Sequence, residues 1–241
     1  MANLTTLKIF KNLGLVELAR RIKRKFIYTE IAFMPCTPHL FIAVNKAFRH
    51  CIEQGISDGS EYLEFGIFRG FTLWFAQALA DDLCVKDMRF LGFDSFFGLP
   101  PLNKIDTGDI FREGVYYCPR KDTEDFLVRH KTDLTRTHLV EGWFDKTLTG
   151  ATAEKYNIRK CAICVIDCDL YESAKLALEF AGPLMCDKSV ILFDDWGSFN
   201  NDPSRGEQKA FSEFLAKNPN IKSENFIEFG GHGKGFILRR K

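Results

Sequence analysis

Two apolar segments of the sequence end in carboxylates. Asp167 and Asp169 follow the run CAICVI, and the adjacent pair Asp194 and Asp195 follows SVILF. Burying a carboxylate is unfavourable unless positive charge or hydrogen bonds compensate it. Oxygen ligands without paired cysteines or histidines favour a hard cation. Asp167, Asp194 and Asp195 are therefore predicted to hold Mg²⁺; the alternative, capping of the following helices, would explain one acid at each segment but not an adjacent pair.

The segment LEFGIFRG places Glu64, Gly66 and Gly70 between an apolar run and a helical pattern. Glycines at such a turn let the backbone approach a ligand, and the helix N-terminus offers free N–H groups. Phe68 replaces the middle glycine of the dinucleotide pattern G-x-G-x-x-G, and its side chain would crowd a diphosphate. The loop therefore suits a nucleoside without phosphates; the alternative is a plain strand–helix turn.

Two further segments carry residues suited to a nucleoside. Asp94 follows the run MRFLGF, at a position where a carboxylate commonly accepts hydrogen bonds from both hydroxyls of a ribose. The alternative is that Asp94 is the N-cap of the next segment. Gly142 and Trp143 follow the run THLVE, at the position where an adenine would lie. A core tryptophan is the alternative for Trp143.

Two histidines are candidates for contact with a substrate. His232 lies in the glycine-rich turn GGHGKG, where it could act as a base or bind substrate. The alternative is a solvated loop histidine. His39 lies beside two prolines in the N-terminal region and could reach a substrate from a segment that covers the site.

The candidate residues lie between segments that alternate between strand and helix patterns. Apolar runs typical of buried strands occupy 61–66, 88–94, 137–142, 161–167 and 189–195, and helical patterns occupy 71–83, 123–131, 172–184 and 206–218. This order predicts an α/β fold with a mostly parallel sheet covered on both faces, and the tail 226–240 predicts a closing hairpin. Ligands bind at the carboxyl ends of parallel strands, so the acids above, with Glu141, are expected along one rim.

The remaining segments set the domain organisation. Residues 1–55 are expected to form a helical segment that covers the substrate, broken around 35–38, and residues 56–241 the sheet domain. The segment KIFKNLGLVELARRIKRKF predicts a basic amphipathic helix, which suits either a membrane surface or a solvated face packed on the domain. These N-terminal helices could also form a dimer contact. The apolar stretch near residue 30 carries Glu30, two prolines and His39, so a transmembrane helix is not predicted.

Composition narrows the class of protein further. The chain has 241 residues and a net charge of +1, so a basic footprint for nucleic acid is not expected. Of eight cysteines, Cys161, Cys164 and Cys168 lie in one apolar run, where cysteine behaves as a small hydrophobic residue. The pair Cys161 and Cys164 lacks a second pair of ligands at the spacing of a zinc site. With no visible signal peptide, reduced thiols and a cytoplasmic location are expected.

Six motifs occur in an order and spacing that resemble the macrocin O-methyltransferase (TylF-type) family. They run from Glu61 to Phe214: EFGIFRG, GFDSFFGLP, EGWFDKTL, IDCDLYES, ILFDDW and RGEQKAFSEF. This family belongs to the class I methyltransferases, which use S-adenosylmethionine. The resemblance implies a Rossmann-like, seven-stranded sheet ending in an antiparallel hairpin, with residues 1–60 outside the family's pattern.

The resemblance also implies roles for individual residues. Glu64, Gly66 and Gly70 would line the amino-acid and sulfonium end of S-adenosylmethionine, and Asp94, with Ser95 beside it, would hold the ribose. Mg²⁺ would be held by Asp167, Asp194 and Asp195 and would assist transfer of the methyl group to a hydroxyl. Asp167, Asp169 or His232 would take the proton. The complete set of residues expected at the cofactor is Glu64, Phe65, Gly66, Gly70, Asp94, Ser95, Gly142, Trp143 and Asp167.

The expected activity is methylation of a small-molecule hydroxyl, on a saccharide or glycosylated natural product by resemblance. Two alternatives stay open from the residues. One is a nicotinamide-dependent oxidoreductase on a similar sheet, which the missing middle glycine and the acidic pair disfavour. The other is a module that binds S-adenosylmethionine without catalysis, which the complete set of three metal-site acids disfavours.

Overall fold

The computed structural model describes residues 38–107 and 111–240, and within them the chain forms a seven-stranded sheet. The strand order is β3-β2-β1-β4-β5-β7-β6. The first five strands pair in parallel, whereas β7 is antiparallel to both β5 and β6. This confirms the mostly parallel sheet with a closing hairpin. The strands are β1 (Glu61–Phe65), β2 (Arg89–Asp94), β3 (Thr137–Glu141), β4 (Cys161–Ile166), β5 (Met185–Phe193), β6 (Ile221–Phe229) and β7 (Gly233–Arg240).

Helices cover both faces of this sheet. Because successive side chains of a strand point to opposite faces, the buried residues divide into two cores. On β4, Ile163 and Val165 pack in one core, whereas Cys164 and Ile166 pack in the other. The described helices are α1 (Pro38–Glu53), α2 (Phe71–Asp82), α3 (Arg120–Arg129), α4 (Phe144–Thr147), α5 (Gly150–Lys155), α6 (Tyr171–Ala181) and α7 (Gly206–Lys217).

Helix α1 packs on the sheet through an apolar stripe. Leu40, Val44, Ala47, Phe48 and Cys51 are buried at helical spacing, and the helix contacts α2, β4, β5 and β6. It belongs to the compact unit Thr37–Lys241. The predicted basic helix and the substrate-covering role of residues 1–37 lie outside the described residues, so the division near residue 55 stays a prediction. In the part of the chain that is described, no helix is long and apolar enough to cross a membrane.

Strand β5 differs from its sequence-based prediction at both ends. It begins at Met185 rather than 189, because Cys161 pairs with Met185 whereas Ile163 pairs with Val190, so β5 accommodates extra residues there. Lys188 takes a left-handed backbone conformation in this irregular stretch. The strand ends at Phe193, which leaves Asp194 and Asp195 in the following loop. The charged residues Asp187 and Lys188 interrupt the apolar run, so the apolar pattern does not predict this first part of the strand.

Candidate active site

Three carboxylates meet where β4 and β5 end. Asp167 follows β4 and donates its backbone N–H to Phe65 O at 2.9 Å; Asp194 follows β5 and donates to Ile166 O at 3.0 Å. These bonds continue the pairing of neighbouring strands, so the two loops leave the sheet side by side. Asp167, Asp194 and Asp195 each offer one carboxylate oxygen, and all three oxygens lie within 4.8 Å of one another. The tertiary structure thus brings together the three acids that the sequence analysis predicts as metal ligands.

Burial and mutual repulsion make these carboxylates hard to ionise together. Burial raises the pKa of Asp167 well above its usual range, and the carboxylates of Asp194 and Asp195 add to the shift. Burial, followed by the neighbouring Asp195, raises the pKa of Asp194 to about 7. Both shifts have the direction expected where negative charges gather in a poorly solvated place. A cation between the oxygens would relieve the repulsion.

Two more acids extend this cluster. Asp169 is buried and has a left-handed backbone, with φ 64°. Burial and the nearby Asp195 carboxyl raise its pKa well above the usual range. Glu207, in the first turn of α7, is 1% exposed, and its Oε2 accepts the Asp195 backbone N–H at 3.1 Å. Its Oε1 has no hydrogen-bond partner within the described residues.

Sequence reasoning missed Glu207. An acid in the first turn of a helix is common, because its negative charge interacts favourably with the positive end of the helix dipole. The position of Glu207 alone therefore does not indicate a site. The motif RGEQKAFSEF contains it, but nothing in that motif shows that the side chain turns toward the acids after β5.

The donor set fits a divalent cation of the magnesium type. Asp167, Asp194 and Asp195 supply oxygen ligands alone, which such hard cations prefer. The unpartnered oxygen of Glu207 is a further buried acceptor beside Asp195. Ser198 Oγ donates to Asp195 Oδ1 at 2.6 Å, which fixes one oxygen of that carboxylate.

The loop after β1 lies against the loop after β4. Gly66 has φ 86°, and a Cβ added there would lie 1.8 Å from the carbonyl oxygen of Asp167, so the approach requires glycine. Gly70, the N-cap residue just before α2, also has positive φ. Phe68 lies between them with φ 44°. The predicted glycine loop is therefore packed directly on the acid cluster.

Glu64 and Phe65 end β1 with side chains on opposite faces. Glu64 is 1% exposed, and Tyr62 OH donates to its Oε2 at 2.7 Å. Burial dominates the shift that raises the pKa of Glu64 to about 8, while the Tyr62 hydrogen bond opposes it. Phe65 is fully buried and stacks on Phe93 with ring centroids 4.9 Å apart, so its side chain belongs to the core.

Asp94 holds the glycine loop in place. Its Oδ2 accepts the backbone N–H groups of Ile67 and Phe68, both at 2.9 Å, and its Oδ1 accepts that of Phe96 at 2.7 Å. Burial raises the pKa of Asp94, and these three bonds oppose the shift. A carboxylate has about four acceptor positions, so roughly one stays open for a ribose hydroxyl. Ser95 beside it donates to Gly98 O and accepts Phe97 N–H, within its own turn.

Gly142 and Trp143 lie beside the end of β2. Gly142 N–H donates to Asp94 O at 2.9 Å. Trp143 is 39% exposed and stacks near Phe97, with ring centroids 6.3 Å apart and planes 29° apart. The alternative of a core tryptophan is therefore wrong, and the two rings present an open aromatic surface on which a base could stack.

Tyr116 is a second residue that sequence reasoning missed. It lies in the long loop between β2 and α3 with φ 57°, and its ring packs edge-on against Phe68 at 6.1 Å. Burial raises the pKa of the Tyr116 phenol to about 12, and Asp169 and the other acids add to the shift. The phenol therefore lies near the acid cluster, although 95–119 is featureless as a pattern.

The two histidines lie at the hairpin end of the same rim. His232 is exposed on the turn between β6 and β7, and its backbone carbonyl accepts Gly197 N–H at 2.8 Å. Because Gly197 follows Asp195 by two residues, the turn lies beside the segment that leaves the acid cluster. His39, in the first turn of α1, lies against Gly230 of the turn between β6 and β7.

Comparison with known proteins identifies relatives that are named as O-methyltransferases. The family model of macrocin-O-methyltransferase (TylF) matches residues 42–222. A tetracenomycin-type 4'-O-methyltransferase of Streptomyces olivaceus, named for its 2,3-dimethoxy-alpha-L-rhamnosyl substrate, is 26% identical over 173 residues, which cover 67% of this chain. The match spans 64% of that relative, less than two thirds of its length.

A second relative and a solved structure agree with this match. Mycinamicin III 3''-O-methyltransferase of Micromonospora griseorubida is 24% identical over 213 residues, covering 75% of this chain and 82% of its own. The O-methyltransferase NovP shares the fold with a TM-score of 0.67 at 20% identity, covering 83% of this chain and 79% of its own. The resemblance stated from the six motifs is confirmed, as is the Rossmann-like methyltransferase fold. The expectation that all of residues 1–60 lie outside the family's pattern is wrong for residues 42–60, because the family model already matches there.

Proposed function

This chain belongs to the macrocin-O-methyltransferase (TylF) family, and from that premise we propose that it is an S-adenosylmethionine-dependent, Mg²⁺-assisted O-methyltransferase. The observation that carries the proposal is the set of three carboxylates packed against the glycine loop at the carboxyl ends of β1, β4 and β5. In that arrangement a bound cation would lie beside the loop expected to hold the cofactor.

The proposed acceptor is a sugar hydroxyl on a small molecule. Both curated relatives carry names of O-methyltransferases for glycosylated natural products, one of them naming a rhamnosyl group. This supports a saccharide or glycosylated natural product rather than a protein or nucleic acid.

The cofactor would lie along the ends of β1, β2 and β3. Glu64 and the backbone at Gly66 and Gly70 would hold its amino-acid end. The one open acceptor position of Asp94 would accept a hydrogen bond from a ribose hydroxyl, and Trp143 would stack on the adenine. S-adenosylmethionine supplies a methyl group already activated on a sulfonium. The protein must then orient the acceptor oxygen in line with that methyl group and exclude water.

Asp167, Asp194 and Asp195 would hold the metal. A bound divalent cation supplies positive charge that favours loss of the acceptor's hydroxyl proton. Asp169 and Asp167 are the nearest candidates for the group that takes this proton, and His232 is the candidate from the hairpin turn. Asp169 stands outside the set of three close oxygens, so a metal held by those oxygens would not occupy its carboxylate, which hydrogen-bonds Asp195.

The first experiment is calorimetric titration of the protein with S-adenosylmethionine and S-adenosylhomocysteine, with and without Mg²⁺, and with NAD⁺ as control. We expect binding of both sulfur nucleosides and no binding of NAD⁺. Binding of NAD⁺ alone would favour the oxidoreductase instead. Binding of the nucleosides without methylation of any glycoside in a screen would favour the non-catalytic module.

A pair of variants separates the candidate bases. We expect Asp169→Asn to lower turnover by roughly 100-fold or more, the usual contribution of general base catalysis, with S-adenosylhomocysteine affinity unchanged. We expect His232→Gln to lower it much less and to leave the pH–rate profile in place. A flattened profile in His232→Gln, with normal turnover in Asp169→Asn, would assign the base to the hairpin turn.

The cytoplasmic location and the homodimer expected from the sequence stay predictions. Cys161, Cys164 and Cys168 form no disulfide bond, which supports the proposed cytoplasmic location. The contact of the basic N-terminal helix with a membrane surface and the dimer contact concern residues outside the described part.

A further inference from the structure

A groove of about 570 Å³ lies beside the acid cluster, between α1 and the hairpin turn. Its size is in the usual range for small-molecule sites. We call it the hairpin groove and define it by residues from three segments. These are His39, Ile42 and Lys46 of α1; Trp196 and Asn201 after β5; and the hairpin residues 227–234.

One face of α1 lines the hairpin groove. His39, Ile42 and Lys46 are spaced three and four residues apart, so they share a side of the helix. All three are exposed, and Ile42 keeps 53% of its surface open. This face contrasts with the opposite stripe of α1, which is buried on the sheet.

The charge of the groove is opposite to that of the neighbouring acid cluster. Within the described residues its charged side chains are Lys46, Lys234 and Glu228. Lys234 Nζ pairs with Glu228 Oε1 at 3.1 Å, but the Glu228 side chain is 79% exposed. Such exposed pairs contribute little, so Lys234 can exchange this partner for an anion on a ligand. His39 and His232 add imidazole N–H groups as hydrogen-bond donors.

The groove also offers apolar surface. Ile42, Ile227 and Trp196 contribute to its lining, and the Trp196 ring is fixed by Phe236 at 4.9 Å and Phe193 at 5.2 Å. A sugar ring presents hydroxyls at its edge and C–H groups on its face, so it suits such a mixed surface. Cationic and apolar groups therefore occur side by side in one cavity.

The groove and the acid cluster share the segment that follows β5. Trp196 follows Asp195 in the chain, and Ser198 Oγ bonds Asp195 Oδ1 at 2.6 Å. The Gly197 N–H bond to His232 O holds this segment on the hairpin turn. Lys234 is opposite Phe193 in the β5–β7 ladder, at the last residue of β5 before the acids. A ligand in the groove would therefore lie against the segment that leaves the acid cluster.

We propose that the hairpin groove binds a phosphate group of the acceptor, so that the enzyme methylates its sugar while the sugar is still a phosphate ester. Lys46, Lys234 and the imidazoles of His39 and His232 bind the phosphate, and the sugar extends past Trp196 toward the acid cluster. This inference rests on the proposed function. It places the reaction before a glycosyl transfer step, because that class of reaction consumes phosphate-activated sugars.

The test is calorimetric titration of the full chain, saturated with S-adenosylhomocysteine and free of divalent metal so that phosphate cannot bind through a metal ion. The probes are methyl rhamnoside, rhamnose 1-phosphate, thymidine diphosphate rhamnose and inorganic phosphate. We expect the phosphate esters to bind at least about tenfold more tightly than the neutral glycoside. Tighter binding of the nucleotide-linked sugar than of the monophosphate identifies a diphosphate as the source; equal binding identifies a simple phosphate ester.

Two variants assign this binding to the groove. We expect Lys46→Glu to weaken binding of the phosphate esters by about tenfold or more, while S-adenosylhomocysteine and the neutral glycoside bind unchanged. The matched control is Lys222→Glu, an exposed lysine seven residues before Phe229 on β6, about 20 Å away along the strand.

Equal effects of the two variants, or neutral glycoside binding as tight as that of the esters, would overturn the proposal. Those outcomes leave S-adenosylhomocysteine binding intact and so leave the proposed function standing. Loss of S-adenosylhomocysteine binding by the folded wild-type chain would instead remove the proposed function and this inference with it.

Discussion

At the scale of single residues, burial changes what an acid at a strand end can do. Glu64 and Asp94 both lie at the carboxyl ends of strands, and both are identified from the sequence as acids at or near the end of an apolar run. In the structure Glu64 is buried with a tyrosine hydroxyl as its partner, whereas Asp94 accepts three backbone N–H groups. Burial raises the pKa of both carboxyls, but one is held by a tyrosine hydroxyl and the other organises a loop.

The raised pKa of Glu64 predicts a pH-dependent stability. The folded protein holds this proton up to about pH 8, whereas the unfolded chain releases it near 4.5. The contribution is therefore fully present below pH 4.5 and is lost as pH rises through 8. For the ligand-free protein we expect the free energy of unfolding to fall by about 1.4 kcal/mol per pH unit from this group between those values.

Glu64→Gln removes the ionisable group and keeps an oxygen acceptor for Tyr62. We expect the loss of stability between pH 5 and pH 8, measured by urea unfolding in EDTA, to be smaller in this variant than in the wild type. Glu154→Gln, at an exposed position on α5, is the matched control and should leave the loss unchanged. If both variants retain the wild-type dependence, the Glu64 proton is released well below pH 8.

At the scale of elements, the site is made where loops cross. The loop after β1 approaches the loop after β4 so closely that Gly66 has no room for a side chain beside the Asp167 carbonyl. Strand pairing between β1 and β4 enforces this approach, since Phe65 and Ile166 are register partners at the ends of the two strands. The spacing between the cofactor loop and the acids is therefore a property of the sheet.

Two glycine variants test this crossing. Gly66 and Gly55 both have positive φ, but a Cβ at Gly55 would meet nothing within 4 Å. We expect Gly55→Ala to lower the free energy of unfolding by about 1–2 kcal/mol, the penalty of left-handed backbone. Gly66→Ala should lower it by at least about 3 kcal/mol, because it must also displace the Asp167 carbonyl. Equal losses in chemical denaturation would mean that the two loops separate at little cost.

At the scale of the whole molecule, the structure concentrates carboxyl groups of raised pKa at one end of the sheet. They come from four strand ends and the first turn of α7. The members are Glu64, Asp94, Asp167, Asp169, Asp194 and Glu207. The unliganded protein therefore carries a repulsion that a bound cation relieves, which couples metal binding to stability.

We expect Mg²⁺ to raise the melting temperature, and to raise it more at pH 8 than at about pH 5.5. The pKa of Asp194 is about 7, so at the lower pH a proton occupies the carboxyl that the metal needs. Differential scanning fluorimetry with and without Mg²⁺ at both pH values measures this. Asp194→Asn should lose most of the stabilisation at pH 8.

Asp87→Asn, at an exposed position before β2, is the matched control and should respond to Mg²⁺ like the wild type. A stabilisation by Mg²⁺ that is the same in Asp194→Asn and Asp87→Asn would place the metal elsewhere.

The sequence by itself determined the sheet, the closing hairpin, and the identity of the three clustered acids. These features depend on local patterns: apolar runs that must be buried, turns that require glycine, and acids immediately after strands. The rule that ligands bind at the carboxyl ends of parallel strands was enough to bring Asp167, Asp194 and Asp195 to one place.

Only the tertiary structure decided that Glu207 faces Asp195, that Tyr116 packs edge-on against Phe68, that Asp94 bonds the glycine loop, and that α1 and the hairpin turn line a groove. Each of these contacts joins residues far apart in the chain or on different elements. They arise when separate elements bury their apolar faces on one another, and a local pattern carries no record of which polar side chains that packing brings together.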